Sequence, residues 1–112
     1  MPLSQPEYDI IVMEDVMVPA RDGVRLATDI YRPARNGEPI QEPLPVILER
    51  TPYNKRALDR VEHNCRYFAR RGYIFAFQDC RGCFRSEGDL DFLWQEGPDG
   101  YDTVEWIAEQ PW

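Results

Sequence analysis

Apolar positions between residues 8 and 32 fall into two runs parted by a turn. Residues 8–18 are rich in Ile, Val and Met. Residues 24–32 alternate, with Val24, Leu26, Thr28 and Ile30 on one side and Arg25, Ala27, Asp29 and Tyr31 on the other. This two-residue period is that of a half-buried strand. The intervening Arg21-Asp22-Gly23 is a hairpin signal, because Asp-Gly readily adopts the tight turn that joins antiparallel strands. The hairpin is expected towards a sheet edge.

Residues 32–44, with Pro, Gly and Asn, read as a surface connection. Pro45-Val46-Ile47-Leu48 then gives a short continuous apolar strand of the kind buried on both faces, running over residues 44–50. From residue 58 to 71, Leu58, Val61, Cys65 and Phe68 recur at three and four, one face of a helix that Gly72 stops. Tyr73-Ile74-Phe75-Ala76-Phe77 is a second buried strand, so strand, helix and strand form a βαβ unit with a parallel pair. A last helix is expected over residues 100–109, with Asp99 at its cap, Asp102 supporting its first turn, and Val104, Ile107 and Ala108 as its apolar stripe. Prolines, Pro98 among them, should punctuate element boundaries. The resulting fold class is α/β: an antiparallel hairpin followed by βαβ in one mixed sheet.

Composition sharpens this picture. In 112 residues, 43% hydrophobic and 12% aromatic, there is enough apolar material for one packed core. The net charge of -7 is uneven: all 13 Lys and Arg lie before position 86, whereas eight of the 20 acidic residues fall after it. No clustered cations are available for phosphates, so nucleic acid is excluded as a partner. The acidic end reads as a solvated helix face and loop. The first residues lack the basic start and apolar core of a signal peptide, and no apolar run approaches the ~20 residues of a membrane span. A cytoplasmic protein with no membrane partner is expected. Three cysteines, an odd number, argue against a disulfide framework.

Polar residues gather where the two buried strands end. The first strand delivers Arg50-Thr51-Pro52-Tyr53-Asn54-Lys55, and the second delivers Gln78-Asp79-Cys80-Arg81-Gly82. Ligands in open α/β sheets collect at the C-terminal ends of strands. Acyl transfer builds negative charge on a carbonyl oxygen, and a preorganised donor stabilises it. In α/β-hydrolases one such donor comes from the loop after the third strand. Counting residues 8–18, 24–32 and 44–50 as strands one to three, Tyr53 occupies that loop; its bland alternative is a tyrosine packed at a turn.

Four motifs in order resemble the N-terminal part of the CocE/NonD hydrolases, a group that takes in cocaine-esterase-like enzymes, α-amino-acid ester hydrolases and X-Pro dipeptidyl-peptidases of the S15 type. They are the stretch from Val18 to Asp29, Arg50-Thr51-Pro52-Tyr53-Asn54-Lys55, Gln78-Asp79-Cys80-Arg81-Gly82 with Ser86-Glu87-Gly88, and the stretch from Asp99 to Ile107. The resemblance implies an α/β-hydrolase fold, a Ser-Asp-His triad, ester, amide or short-peptide substrates, and an oxyanion-hole tyrosine that maps onto Tyr53. It also implies a supporting loop of Asp79, Arg81 and Gly82, for which an Asp79 to Arg81 ion pair is expected. It implies no cofactor or metal.

Shortly beyond the motif that ends here in Gln110-Pro111-Trp112, the family carries Gly-x-Ser-Tyr-x-Gly, then its acid, its histidine, a cap and a C-terminal β-sandwich. The chain is therefore expected to be the N-terminal portion of the catalytic domain and inactive alone. Ser4 sits in the N-terminal arm, Ser86 lacks strand-turn-helix context, and His63 comes too early for the triad order. The alternative is a truncated or split product that complements a second chain, or self-associates, through an open edge beside residues 46–48. A smaller alternative is a redox module at Cys80-x-x-Cys83, or a zinc site at His63, Cys65, Cys80 and Cys83. His63 and Cys65 would lie about 200° apart around a helix, which disfavours zinc.

Overall fold

A computed structural model describes residues 5–90 and 92–112; Ser4 lies outside them. The strands are β1 (Asp9–Pro19), β2 (Arg25–Arg35), a two-residue β3 (Glu38–Pro39), β4 (Val46–Thr51) and β5 (Ile74–Asp79). They form one mixed sheet in the order β1-β2-β5-β4, with β3 added to β2. β1 and β2 are antiparallel, β5 is antiparallel to β2, and β4 runs parallel to β5. The hairpin and the βαβ unit are thus both present, and β1 lies at an edge.

Alternation along β5 divides the core between two layers. Phe75 and Phe77 face one side with Tyr31, Val61, Cys65 and Ala69. Ile74 and Ala76 face the other with Ile30, flanked by Val46, Leu48, Ile107 and Trp112. Both phenylalanines are buried, contributing roughly 1.5–3 kcal/mol each by removal of apolar surface from water. Helices therefore cover both faces of the sheet. This explains why β2 is not half-buried as its alternation suggests: Leu26 to Tyr31 are all buried, the odd and even positions meeting different layers.

The crossover between β4 and β5 is helical but mixed. It begins as α1 (Leu58–Arg60), passes through a π-helical turn (Val61–Arg66) and ends as α2 (Tyr67–Ala69). The wider π turn breaks the 3.6-residue repeat. Val61 and Cys65 are buried and Phe68 packs against their cluster, but Leu58 is exposed rather than part of the stripe.

α3 (Phe92–Ala108) differs most from expectation: it begins well before residue 100 and carries Pro98 inside. Asp99 is neither cap nor boundary; it is a buried interior residue. Asp102 binds Arg21 rather than supporting a first turn, with Arg21 Nη2 2.8 Å from its Oδ1. Of the predicted stripe only Ile107 joins the core, while Val104 and Ala108 are exposed and Thr103 is buried instead. Among the described residues, no helix is long and apolar enough to cross a membrane.

Candidate active site

The parallel pair β4 and β5 end level with each other, Thr51 opposite Asp79, and the chain leaves both ends in tight loops. After β4, the Thr51 carbonyl accepts a bond from Cys80 N (2.9 Å) and Thr51 Oγ1 accepts one from Tyr53 N (2.9 Å). Asn54 takes a left-handed φ of 86°; its Oδ1 receives Arg56 N (3.0 Å) and its carbonyl receives Ala57 N (3.2 Å). Asparagine tolerates this conformation because its short amide can hydrogen-bond locally. The turn leaves Tyr53 79% exposed, standing off the end of the sheet. Asn54, Arg56, Phe84 and Arg85 line a cleft on this end of the molecule.

Beneath Tyr53 lies a feature that sequence reading missed. Lys55 is wholly buried, its Nζ 2.8 Å from Asp15 Oδ1, 3.1 Å from Asp29 Oδ1 and 3.8 Å from Asp79 Oδ2. Its backbone N–H donates to Asp79 Oδ1 at 2.9 Å. Arg56 joins from the same loop, with Nη2 2.9 Å from Asp15 Oδ2 and Nε 3.3 Å from Asp29 Oδ2. Asp15 reaches this cluster because β1 bulges there: the register slips between Met13 and Val16, and Asp15 takes φ 51° while its N–H donates to Asp29 Oδ1. The hydrogen bond from Lys55 holds the Asp15 carboxyl below its ordinary value, whereas burial pushes that of Asp79 up. A buried ammonium among carboxylates is tolerated only because each charge is paired. The available signal was Asp29, a carboxylate in the middle of a strand, between Thr28 and Ile30.

Asp79 and Arg81 do not pair with each other. Asp79 is committed to Lys55 and, through Oδ2, to Arg85 N at 3.3 Å. Arg81 instead forks between two other carboxylates: Nε and Nη2 bind Asp99 at 2.9 and 2.8 Å, and Nη1 and Nη2 bind Asp22 at 2.9 and 3.1 Å. The expected pair fails because β5 ends at Asp79: Arg81 already lies in the following turn, outside the alternation that would put residues two apart on one face. Arg81 thereby ties the loop after β5 to the β1–β2 turn and to α3. Gly82 has φ 74°, and a Cβ there would strike the amide nitrogen of Leu90 and lie 2.6 Å from the Asp89 carbonyl carbon.

Other nucleophile candidates are occupied or raised. Ser86 Oγ donates to the Asp79 carbonyl (2.6 Å) and accepts from Ala27 N (2.8 Å), so it braces the loop. Burial pushes the Cys80 thiol up to about 12, and it donates to Glu96 Oε2 at 3.3 Å; the Cys83 thiol is also raised by burial. A redox cysteine requires the opposite shift. His63 is exposed on the π-helical turn while Cys65 is buried in the core. Among the described residues no group of three or more His, Cys, Asp and Glu is arranged to hold a metal ion.

The conserved pattern of the X-Pro dipeptidyl-peptidase (S15 family) matches residues 22–112, which include Tyr53, Asp79, Arg81 and Gly82. The chain belongs to this S15 family. Cocaine esterase of Rhodococcus sp. (strain MB1 Bresler) is 45% identical over 104 residues, which cover 90% of this chain and 17% of that protein. An α-amino acid ester hydrolase of known structure is 31% identical with a TM-score of 0.71, over 98% of this chain and 20% of that one. A CocE/NonD family hydrolase from Staphylococcus aureus superposes with a TM-score of 0.75 at 24% identity, over 92% of this chain and 21% of that one, and shows the shared fold. The chain thus spans only 17% to 21% of the length of these three proteins.

Proposed function

We propose that residues 1–112 form the N-terminal portion of the catalytic domain of an S15-family serine hydrolase that cleaves ester, amide or short-peptide bonds, and that Tyr53 donates to the oxyanion. In this reading a serine attacks the substrate carbonyl, a histidine oriented by an acid moves the proton, and charge develops on the carbonyl oxygen. The Tyr53 phenol, with a backbone amide beside the serine, holds that charge. One such donor is worth about 3–4 kcal/mol in the transition state. Asp79, Arg81 and Gly82 support the site without touching substrate. The serine, acid and histidine belong to other parts of the gene product, whose location we take to be cytoplasmic.

The observation that carries the reading is the position of Tyr53: an exposed phenol at the C-terminal end of β4, on a turn anchored from below. An apolar tyrosine-turn filler would bury its ring instead. Val46, Ile47 and Leu48 pair with β5 on one side only among the described strands, an edge that a further strand of the same polypeptide, or a second chain, would cover. The test uses a fluorophosphonate probe and a 4-nitrophenyl ester. The full-length gene product should be labelled at a serine and hydrolyse the ester, while residues 1–112 alone should do neither. A full-length product that binds no probe and releases no nitrophenol contradicts the reading.

A further inference from the structure

The turn that presents Tyr53 is held at two points. Before it, Thr51 is the last residue of β4, its carbonyl bound to Cys80 N at 2.9 Å. After it, Lys55 is fixed at both ends: its N–H at 2.9 Å from Asp79 Oδ1, and its ammonium 2.8 Å from Asp15 Oδ1 and 3.1 Å from Asp29 Oδ1. The three residues between include Pro52, whose φ is locked by its ring, and Asn54, held in the left-handed region at φ 86°. Asn54 is kept there by local bonds, its Oδ1 accepting from Arg56 N and its carbonyl from Ala57 N.

Replacing the whole ion cluster by apolar residues of similar volume would often be neutral for stability, whereas removing the ammonium alone strands the carboxylates around it. What the ammonium adds is direction. Carboxylates from β1, β2 and β5 meet at one point, so the lysine can occupy only one depth and one register. Asp15 contributes through the bulge in β1, a local departure that re-aims a single side chain.

We infer that Lys55 is a positioning residue for Tyr53: the Asp15–Asp29–Asp79 cradle draws the ammonium into the sheet and thereby sets the height and angle of the phenol above β4. The inference rests on the reading of Tyr53 as the oxyanion donor. Lys55 touches no substrate and acts through the two peptide units that separate it from the tyrosine. Small misplacements of a preorganised group are expensive, about 100-fold in rate for roughly 1 Å.

The test is a double-mutant cycle in the full-length gene product, with kcat and KM for a 4-nitrophenyl ester normalised to fluorophosphonate-titrated sites. Lys55→Met is expected to lower kcat roughly 10- to 100-fold while KM stays within about threefold. In the Tyr53→Phe background the same change should have almost no further effect, because the group it aims has gone. Asp15→Asn, which weakens one arm of the cradle at its partly exposed rim, should give a smaller kcat loss with the same non-additivity; it carries the cycle if Lys55→Met does not fold. Equal fold losses in both backgrounds, or a folded Lys55→Met enzyme with unchanged kcat, overturn the positioning role while leaving Tyr53 as the donor. A Tyr53→Phe enzyme with wild-type kcat overturns the donor reading itself, and the inference with it.

Discussion

Arg81→Met removes a guanidinium that is buried and makes charge-assisted bonds to Asp99 and Asp22, two to each. Asp22 lies in the partly exposed β1–β2 turn and can rehydrate. Asp99 cannot: its side chain is 0% exposed, and without Arg81 only Gln95 Nε2, at 3.3 Å, remains to it among the described residues. Leaving one member of a buried pair without its partner costs about 3–5 kcal/mol. Most of that penalty belongs to the stranded carboxylate, so Arg81→Met/Asp99→Leu should recover the larger part of it. Asp22→Asn should shift stability much less than Arg81→Met. Urea unfolding followed through the fluorescence of Trp94, Trp106 and Trp112 measures each variant. The reasoning is refuted if Arg81→Met costs under about 1 kcal/mol, or if the double variant is no more stable than the single one.

Gly82→Ala should destabilise by more than the roughly 1–2 kcal/mol of a left-handed alanine, since its Cβ would also collide with the Asp89–Leu90 backbone; a melting temperature within a degree of wild type would contradict this. The pH dependence has two opposed parts. Asp15, Asp22 and Asp102 are held below the ordinary aspartate value by hydrogen bonds from Lys55, Arg81 and Arg21. Their stabilisation is present above about pH 3.9 and disappears as pH falls through the lowered folded-state values. Asp79 is raised by burial, so its contribution is present below about pH 3.9 and is lost as pH rises through its raised value. Denaturation midpoints against pH should therefore lose part of the acid decline in Asp102→Asn and part of the decline on the rising side in Asp79→Asn. Curves that merely run parallel to wild type would show that these groups do not carry the linkage.

The fold was largely legible because its strongest signals are local. Asp22-Gly23 marks the hairpin, and Val46 to Leu48 and Ile74 to Phe77 are continuous apolar runs that only a doubly covered sheet accommodates. What stayed hidden depends on partners distant in sequence. Gly97-Pro98-Asp99-Gly100 reads as a turn, yet it is helical, with Asp99 bound to Arg81 from the opposite loop. Leu58 keeps the spacing of an α-helical stripe, but the π turn beside it rotates the buried face away. At the site, Tyr53 could be placed by strand count and motif order. Lys55, adjacent in sequence, could not be recognised as buried, because its three carboxylates come from β1, β2 and β5 and meet only when the sheet has formed.

The account turns on the phenolic hydroxyl of Tyr53. Its most direct test compares Tyr53→Phe with wild type in the full-length gene product, using kcat on a 4-nitrophenyl ester with circular dichroism as a check on folding. Loss of the oxygen should lower kcat about 100- to 1000-fold, the effect of deleting one oxyanion donor, with KM nearly unchanged. A folded Tyr53→Phe enzyme turning over within about threefold of wild type would contradict the account.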